Sequence, residues 1–121
     1  MKHILTIDDE MGIRQILREV LTGAGYRVTD VSSAEEAMQV VREDPPDLVI
    51  TDLQLEESDG FAIIAQVKEI APATPVILLT GVLFDPAVIR RLGDEKISSY
   101  VEKTGSLARL MGEVKRLLPD K

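Results

Sequence analysis

Apolar residues along the chain follow two alternating rhythms. Short, nearly continuous runs are separated by longer stretches in which apolar residues return every three or four positions. The first rhythm is that of buried strands and the second that of amphipathic helices. Residues 3–7, His3-Ile4-Leu5-Thr6-Ile7, read as a first strand that runs into Asp8-Asp9-Glu10. Ile13, Ile16, Leu17, Val20 and Leu21 then repeat at the spacing of one helix face, and Gly23 and Gly25 end that helix. Residues 26–31 form a second strand whose alternating polar side chains mark a sheet edge. Ser33-Ala34-Glu35-Glu36 is a capping box, opening a helix that buries Ala37, Met38 and Val41.

The run Leu48-Val49-Ile50-Thr51-Asp52 lies between Pro45-Pro46-Asp47 and a polar turn ending at Gly60. It reads as a strand buried on both faces and ending in a carboxylate. Residues 61–70 predict a third helix, and Val76-Ile77-Leu78-Leu79-Thr80 another doubly buried strand. Asp85-Pro86 supplies an N-cap and a first-turn proline for a short helix that Gly93 interrupts. Residues 99–102 predict a fifth strand. Ser106 caps a last helix with Leu107, Leu110, Met111, Val114, Leu117 and Leu118 on one side. Five strands alternating with five helices imply right-handed crossovers and a parallel sheet covered on both faces. The expected fold is α/β: a flavodoxin-like (βα)5, doubly wound, five-stranded parallel sheet of order 2-1-3-4-5.

Composition narrows the setting. The 121 residues suit one domain, taken as 1–121. The formal net charge of −7 argues against nucleic acid or anionic membrane as a direct partner. The absence of cysteine removes disulfides and thiolate metal sites. No apolar run approaches the ~20 residues that span a bilayer, and the N-terminus lacks signal-peptide features. A cytoplasmic protein is the expectation.

Ligands of open α/β sheets bind at the carboxyl ends of the strands. In this order the first strand delivers Asp8 and Asp9 there, the third Asp52, the fourth Thr80 and the fifth Lys103. Three carboxylates brought together repel one another unless a cation compensates. Oxygen donors without His or Cys favour Mg²⁺, which also accepts phosphate oxygens. Lys103 offers a point charge suited to phosphate and Thr80 a hydroxyl donor. An Asp carboxylate is itself a nucleophile toward phosphoryl groups.

At these residues the chain resembles the receiver domain of bacterial two-component response regulators, the CheY-like superfamily. The matching pieces are Ile4-Leu5-Thr6-Ile7-Asp8-Asp9-Glu10, residues 46–53 around Asp52, Asp59-Gly60, residues 75–81 around Thr80, and Tyr100-Val101-Glu102-Lys103. The resemblance implies that Asp52 accepts phosphate from a phosphohistidine of a sensor histidine kinase or phosphotransfer protein. It implies Mg²⁺ on Asp8, Asp9, Asp52 and the backbone carbonyl of Gln54. Lys103 would contact the phosphoryl group, Thr80 would move toward it, and Tyr100 would turn inward behind Thr80. Gln54 and Val82 would tune the lifetime of the phosphate. The face made by the Asp85 helix, the fifth strand and the last helix would change partner preference, toward a weak homodimer or a downstream output domain or protein. The domain would assist its own phosphorylation without turning over external substrates.

The chain departs from the family at four places. Glu56 and Thr104 stand where the family has prolines. Asp94-Glu95-Lys96-Ile97 replaces the usual Gly-Ala before Tyr100, and the Asp85 helix is short. Two other functions compete. A Mg²⁺-dependent phosphohydrolase would use the same aspartyl phosphate, but Gln54 stands where such enzymes place a second Asp. A pseudo-receiver would bind partners without phosphate. His3, the only histidine, reads as a plain strand residue.

Overall fold

A computed structural model describes residues 1–52, 60–80, 99–102 and 107–118. In chain order it contains β1 (His3–Ile7), α1 (Met11–Gly23), β2 (Arg27–Val31), α2 (Ala34–Glu43), β3 (Leu48–Asp52), α3 (Gly60–Ile70), β4 (Val76–Thr80), β5 (Ser99–Glu102) and a last helix (Leu107–Leu117). The strands form one parallel sheet in the order β2-β1-β3-β4-β5, as the pattern predicts. The expected Asp85 helix, the Ser106 cap, Gln54, Glu56, Val82, Lys103 and Thr104 lie outside the described residues.

Alternation along each strand divides the interior in two. Leu5, Ile7, Val31, Val49, Val76 and Leu78 face α2 and α3, where they meet Ala37, Met38, Val41, Ile63, Ile64 and Val67. Ile4, Leu48, Ile50, Ile77, Leu79 and Val101 face α1 and the last helix, where they meet Leu17, Leu21, Leu110, Val114 and Leu118. Each face is sealed by two described helices, so β1 and β3 are buried along their whole length. At the edge, β2 is largely half-exposed, in keeping with its alternating polar residues.

The helix ends follow local chemistry. After α1, Gly25 adopts φ +98°, its N–H donates to the Thr22 carbonyl (3.0 Å), and the Tyr26 N–H donates to the Leu21 carbonyl (3.1 Å). Those two bonds close a Schellman motif, and Tyr26 and Leu21 share one apolar cluster. At α2 the Ser33 hydroxyl accepts the Glu36 N–H at 3.3 Å. The return arm of this capping box reaches one residue further back than expected, to the Ser32 N–H at 3.4 Å.

Two expected apolar positions face water. Ile16 is 46% exposed and Leu107 44%. In α1 burial centres on Leu17 and Leu21. At 100° per residue Arg14 lies only roughly 20–60° from those two around the helix, and Ile16 roughly 100–140°. The helix is thus rolled toward Arg14, whose polar bonds are described below, and Ile16 is carried outward.

At the amino ends of the strands, His3 N–H donates to the Asp47 carboxylate (2.8 Å) and Asp47 N–H to the His3 carbonyl (2.7 Å). The buried His3 ring places Nε2 2.8 Å from the Thr29 hydroxyl. This structural role agrees with the plain reading of His3. Among the described residues, no helix is long and apolar enough to cross a membrane.

Candidate functional site

Strand register brings the predicted acids to one rim of the sheet. Ile7 of β1 pairs with Thr51 of β3, so continuing the register by one residue sets Asp8 level with Asp52. On the other side of β3, Asp52 pairs with Leu79, one residue before Thr80. Thr80 in turn pairs with Glu102, the last residue of β5. Asp52 therefore ends the central strand, with Asp8 and Asp9 following one neighbour and Thr80 ending the other. Tyr100 is placed by its pairing with Leu78.

Asp52 is 4% exposed and Asp8 fully buried. The Thr51 hydroxyl donates to the Asp52 carbonyl at 3.1 Å, which secures the backbone where the strand ends. Asp8 folds back locally. Its Oδ1 accepts the Glu10 N–H at 2.8 Å, an Asx-type turn that leads into α1. Its own N–H donates to the Val31 carbonyl at 3.1 Å, tying the turn to β2. Carboxylate oxygens of Asp8, Asp9 and Glu10 all lie within 4.8 Å of one another. Two oxygens sharing one Mg²⁺ at about 2.0–2.1 Å stand roughly 3–4 Å apart, so this donor set suits a hard cation. Asp52 lies outside that trio, on the adjacent strand end.

Glu10 is a member that the sequence reading does not single out. Its signal was its place as the third of three consecutive acids. Arg14 is a second omission. Its Nη1 donates to the Asp8 carbonyl at 2.7 Å, and its Nε lies 3.6 Å from Asp30 Oδ2. Asp30 also pairs with Arg18, one turn further along α1. A cation is thus fixed against the backbone of the acidic turn and anchored to β2.

At the opposite end of the sheet an exposed ion pair perturbs its own titration. There the Arg27 guanidinium donates two hydrogen bonds to Asp44, at 2.8 and 3.1 Å. They hold the Asp44 carboxyl below its ordinary range, against a smaller opposing pull from desolvation. The same bonds push Arg27 up.

Comparison with known proteins adds an independent line. The family described as the response regulator receiver domain matches residues 4–115. The transcriptional regulatory protein GlrR of Escherichia coli (strain K12) is 38% identical over 79 residues, covering 65% of this chain and 18% of that protein. The probable transcriptional regulator ycf27 of Pyropia yezoensis is 33% identical over 119 residues, 97% of this chain and 47% of that protein. The chain therefore spans less than half the length of these curated relatives. Among solved structures, the chemotaxis protein CheY4 of Vibrio cholerae superposes with a TM-score of 0.90 over 97% of this chain and 98% of that one, at 24% identity. That likeness is one of fold.

Proposed function

We propose, for a chain that belongs to the response regulator receiver domain family, that Asp52 is the phosphoacceptor of a two-component signalling switch. The family is one of signalling switches. The observation that carries the reading is the register. Asp52 ends the middle strand, flanked by the Asp8-Asp9 turn on one side and Thr80 on the other.

An Asp52 carboxylate oxygen attacks the phosphorus of a donor phosphohistidine. The P–N bond breaks, the donor imidazole leaves with the electron pair and takes a proton, and an acyl phosphate remains on Asp52. Asp8, Asp9, Asp52 and the Gln54 carbonyl would hold the Mg²⁺ that the family uses. When bound, the ion offsets the negative charge gathered on the transferring group. The chemistry of the donors fits it: oxygen ligands only, Asp8 and Asp9 carboxylates within 4.8 Å of each other and of Glu10, and Asp52 on the next strand end. Lys103 contacts the phosphoryl oxygens. Thr80 moves toward them and Tyr100 turns in behind it, so the modified form favours a different set of partners. Gln54 and Val82 set how long the acyl phosphate lasts. A sensor histidine kinase or phosphotransfer protein in the cytoplasm is the donor. A second copy or an output domain reads the result.

The test is incubation with acetyl phosphate and MgCl₂ followed by intact-mass measurement. One phosphoryl group should appear on the native chain and none on Asp52→Ala. An unmodified native chain, or an adduct that survives in Asp52→Ala, overturns the assignment.

A further inference from the structure

We propose that Arg14 is a positioning residue for the divalent-cation site, acting as a two-point brace between β2 and the acidic turn. The proposal rests on the reading above that Asp8 and Asp9 hold Mg²⁺.

The carboxylates of Asp8, Asp9 and Glu10 belong to three successive residues that join β1 to α1. Such a turn presents its oxygens to one ion only if its backbone is fixed. Bonds from within and beneath help to fix it, among them the Glu10 N–H to Asp8 Oδ1 and the Asp8 N–H to the Val31 carbonyl. Arg14 Nη1 adds a further restraint by donating to the Asp8 carbonyl at 2.7 Å. The planar guanidinium makes this contact with one edge while Nε faces Asp30 Oδ2 at 3.6 Å. Arg14 is only 18% exposed, so its fork is confined by packing as well as by its partners. Asp30 pairs across the sheet with Thr6, two residues before Asp8, and also holds Arg18. The chain of support therefore runs from β2 through Asp30 and Arg14 to the Asp8 carbonyl.

The sign of the expected effect separates positioning from charge. A cation beside a cation site repels the ion, so removing Arg14 should tighten Mg²⁺ binding if charge alone counts. If Arg14 orients the ligands, removing it should weaken binding. Loss of a partner that orients metal ligands costs roughly 10- to 100-fold in affinity.

The measurement is the Mg²⁺ dissociation constant of the full chain by calorimetric titration with MgCl₂, with amide shifts of Asp8 and Asp9 followed by NMR. Arg14→Met keeps the apolar stem and loses both contacts. Binding should weaken roughly 10-fold, with the Asp8 and Asp9 amides displaced before any Mg²⁺ is added. Equal or tighter binding overturns the proposal. Should Arg14→Met fail to fold, Arg14→Lys keeps the charge and removes the two-edged fork, and it too should bind more weakly. Native affinity in Arg14→Lys overturns the brace. If the native chain binds no Mg²⁺, the reading of the site fails first, and the two failures are told apart.

Discussion

Thr6 lies in the middle of β1 with its hydroxyl sealed from solvent, and Oγ1 makes no hydrogen bond among the described residues. Its register neighbours are Asp30 on β2 and Ile50 on β3. It shares the sheet face of Ile4, which packs under Leu17 and Leu21 of α1. A buried hydroxyl without a partner costs about 1–3 kcal/mol. Valine has nearly the same shape, replaces the hydroxyl by a methyl group, and is at least as content in a strand. Thr6→Val should therefore stabilise the fold by about 1–2 kcal/mol. At ~2.1 cal/mol/K per residue, 121 residues unfold with an entropy of about 250 cal/mol/K, so each kcal/mol is worth about 4 °C in Tm. Urea titration should show a higher midpoint with an unchanged slope. Thr6→Ser keeps the hydroxyl, deletes the methyl group and should lose about 1 kcal/mol. A midpoint that falls in Thr6→Val would refute the reasoning, because it would mean that the hydroxyl has a partner worth more than its desolvation. Mg²⁺ affinity should stay at the native value in both variants.

Gly25→Ala should cost about 1–2 kcal/mol in a thermal melt, because φ +98° is a left-handed conformation and the space around the position is otherwise open. Gly23→Ala, inside the helix with equally open space, should gain about 0.4–1 kcal/mol in the same assay. Asp44 has a lowered carboxyl pKa in the folded chain, so its contribution is present above the ordinary carboxylate range and is lost as pH falls through the folded value. The difference in urea midpoint between the native chain and Asp44→Asn should thus be constant from pH 8 to about pH 5 and close below about pH 4. Thr80→Ala should still gain one phosphoryl group by intact mass, while its modified and unmodified forms bind an output partner with nearly equal affinity. A native-sized difference would remove Thr80 from the switch.

The sheet was legible because its strands are almost uninterrupted apolar runs. Leu48 to Ile50 leave no helix-like alternative once Pro45-Pro46 and the polar turn bound them. Strand order followed from strict alternation with helices, and the order alone carried Asp8, Asp52 and Thr80 to a common rim. The setting of α1 was not legible. Its apolar residues centre on a direction that includes Ile16, whereas the helix is turned toward Arg14 by bonds to Asp8 and Asp30. Periodicity counts oily side chains and is blind to a polar group that is drawn inward by partners distant in sequence. Arg14 and Asp30 lie 16 positions apart, and nothing local links them. Glu10 was passed over for the opposite reason: it adjoins the two Asp residues so closely that it reads as part of an ordinary acidic first turn.

The parity that divides the interior has an evolutionary corollary. Asp52 shares its side of the sheet with Leu48 and Ile50, while Thr51 shares the other side with Val49. Inserting one residue upstream within β3 would present threonine at the rim, deleting one would present Leu53, and either change would turn the carboxylate toward the side beneath α2 and α3. Length variation by one residue within β1 or β3 would turn the rim acid of that strand to the other face of the sheet. Related chains should accumulate their gaps only outside those two strands.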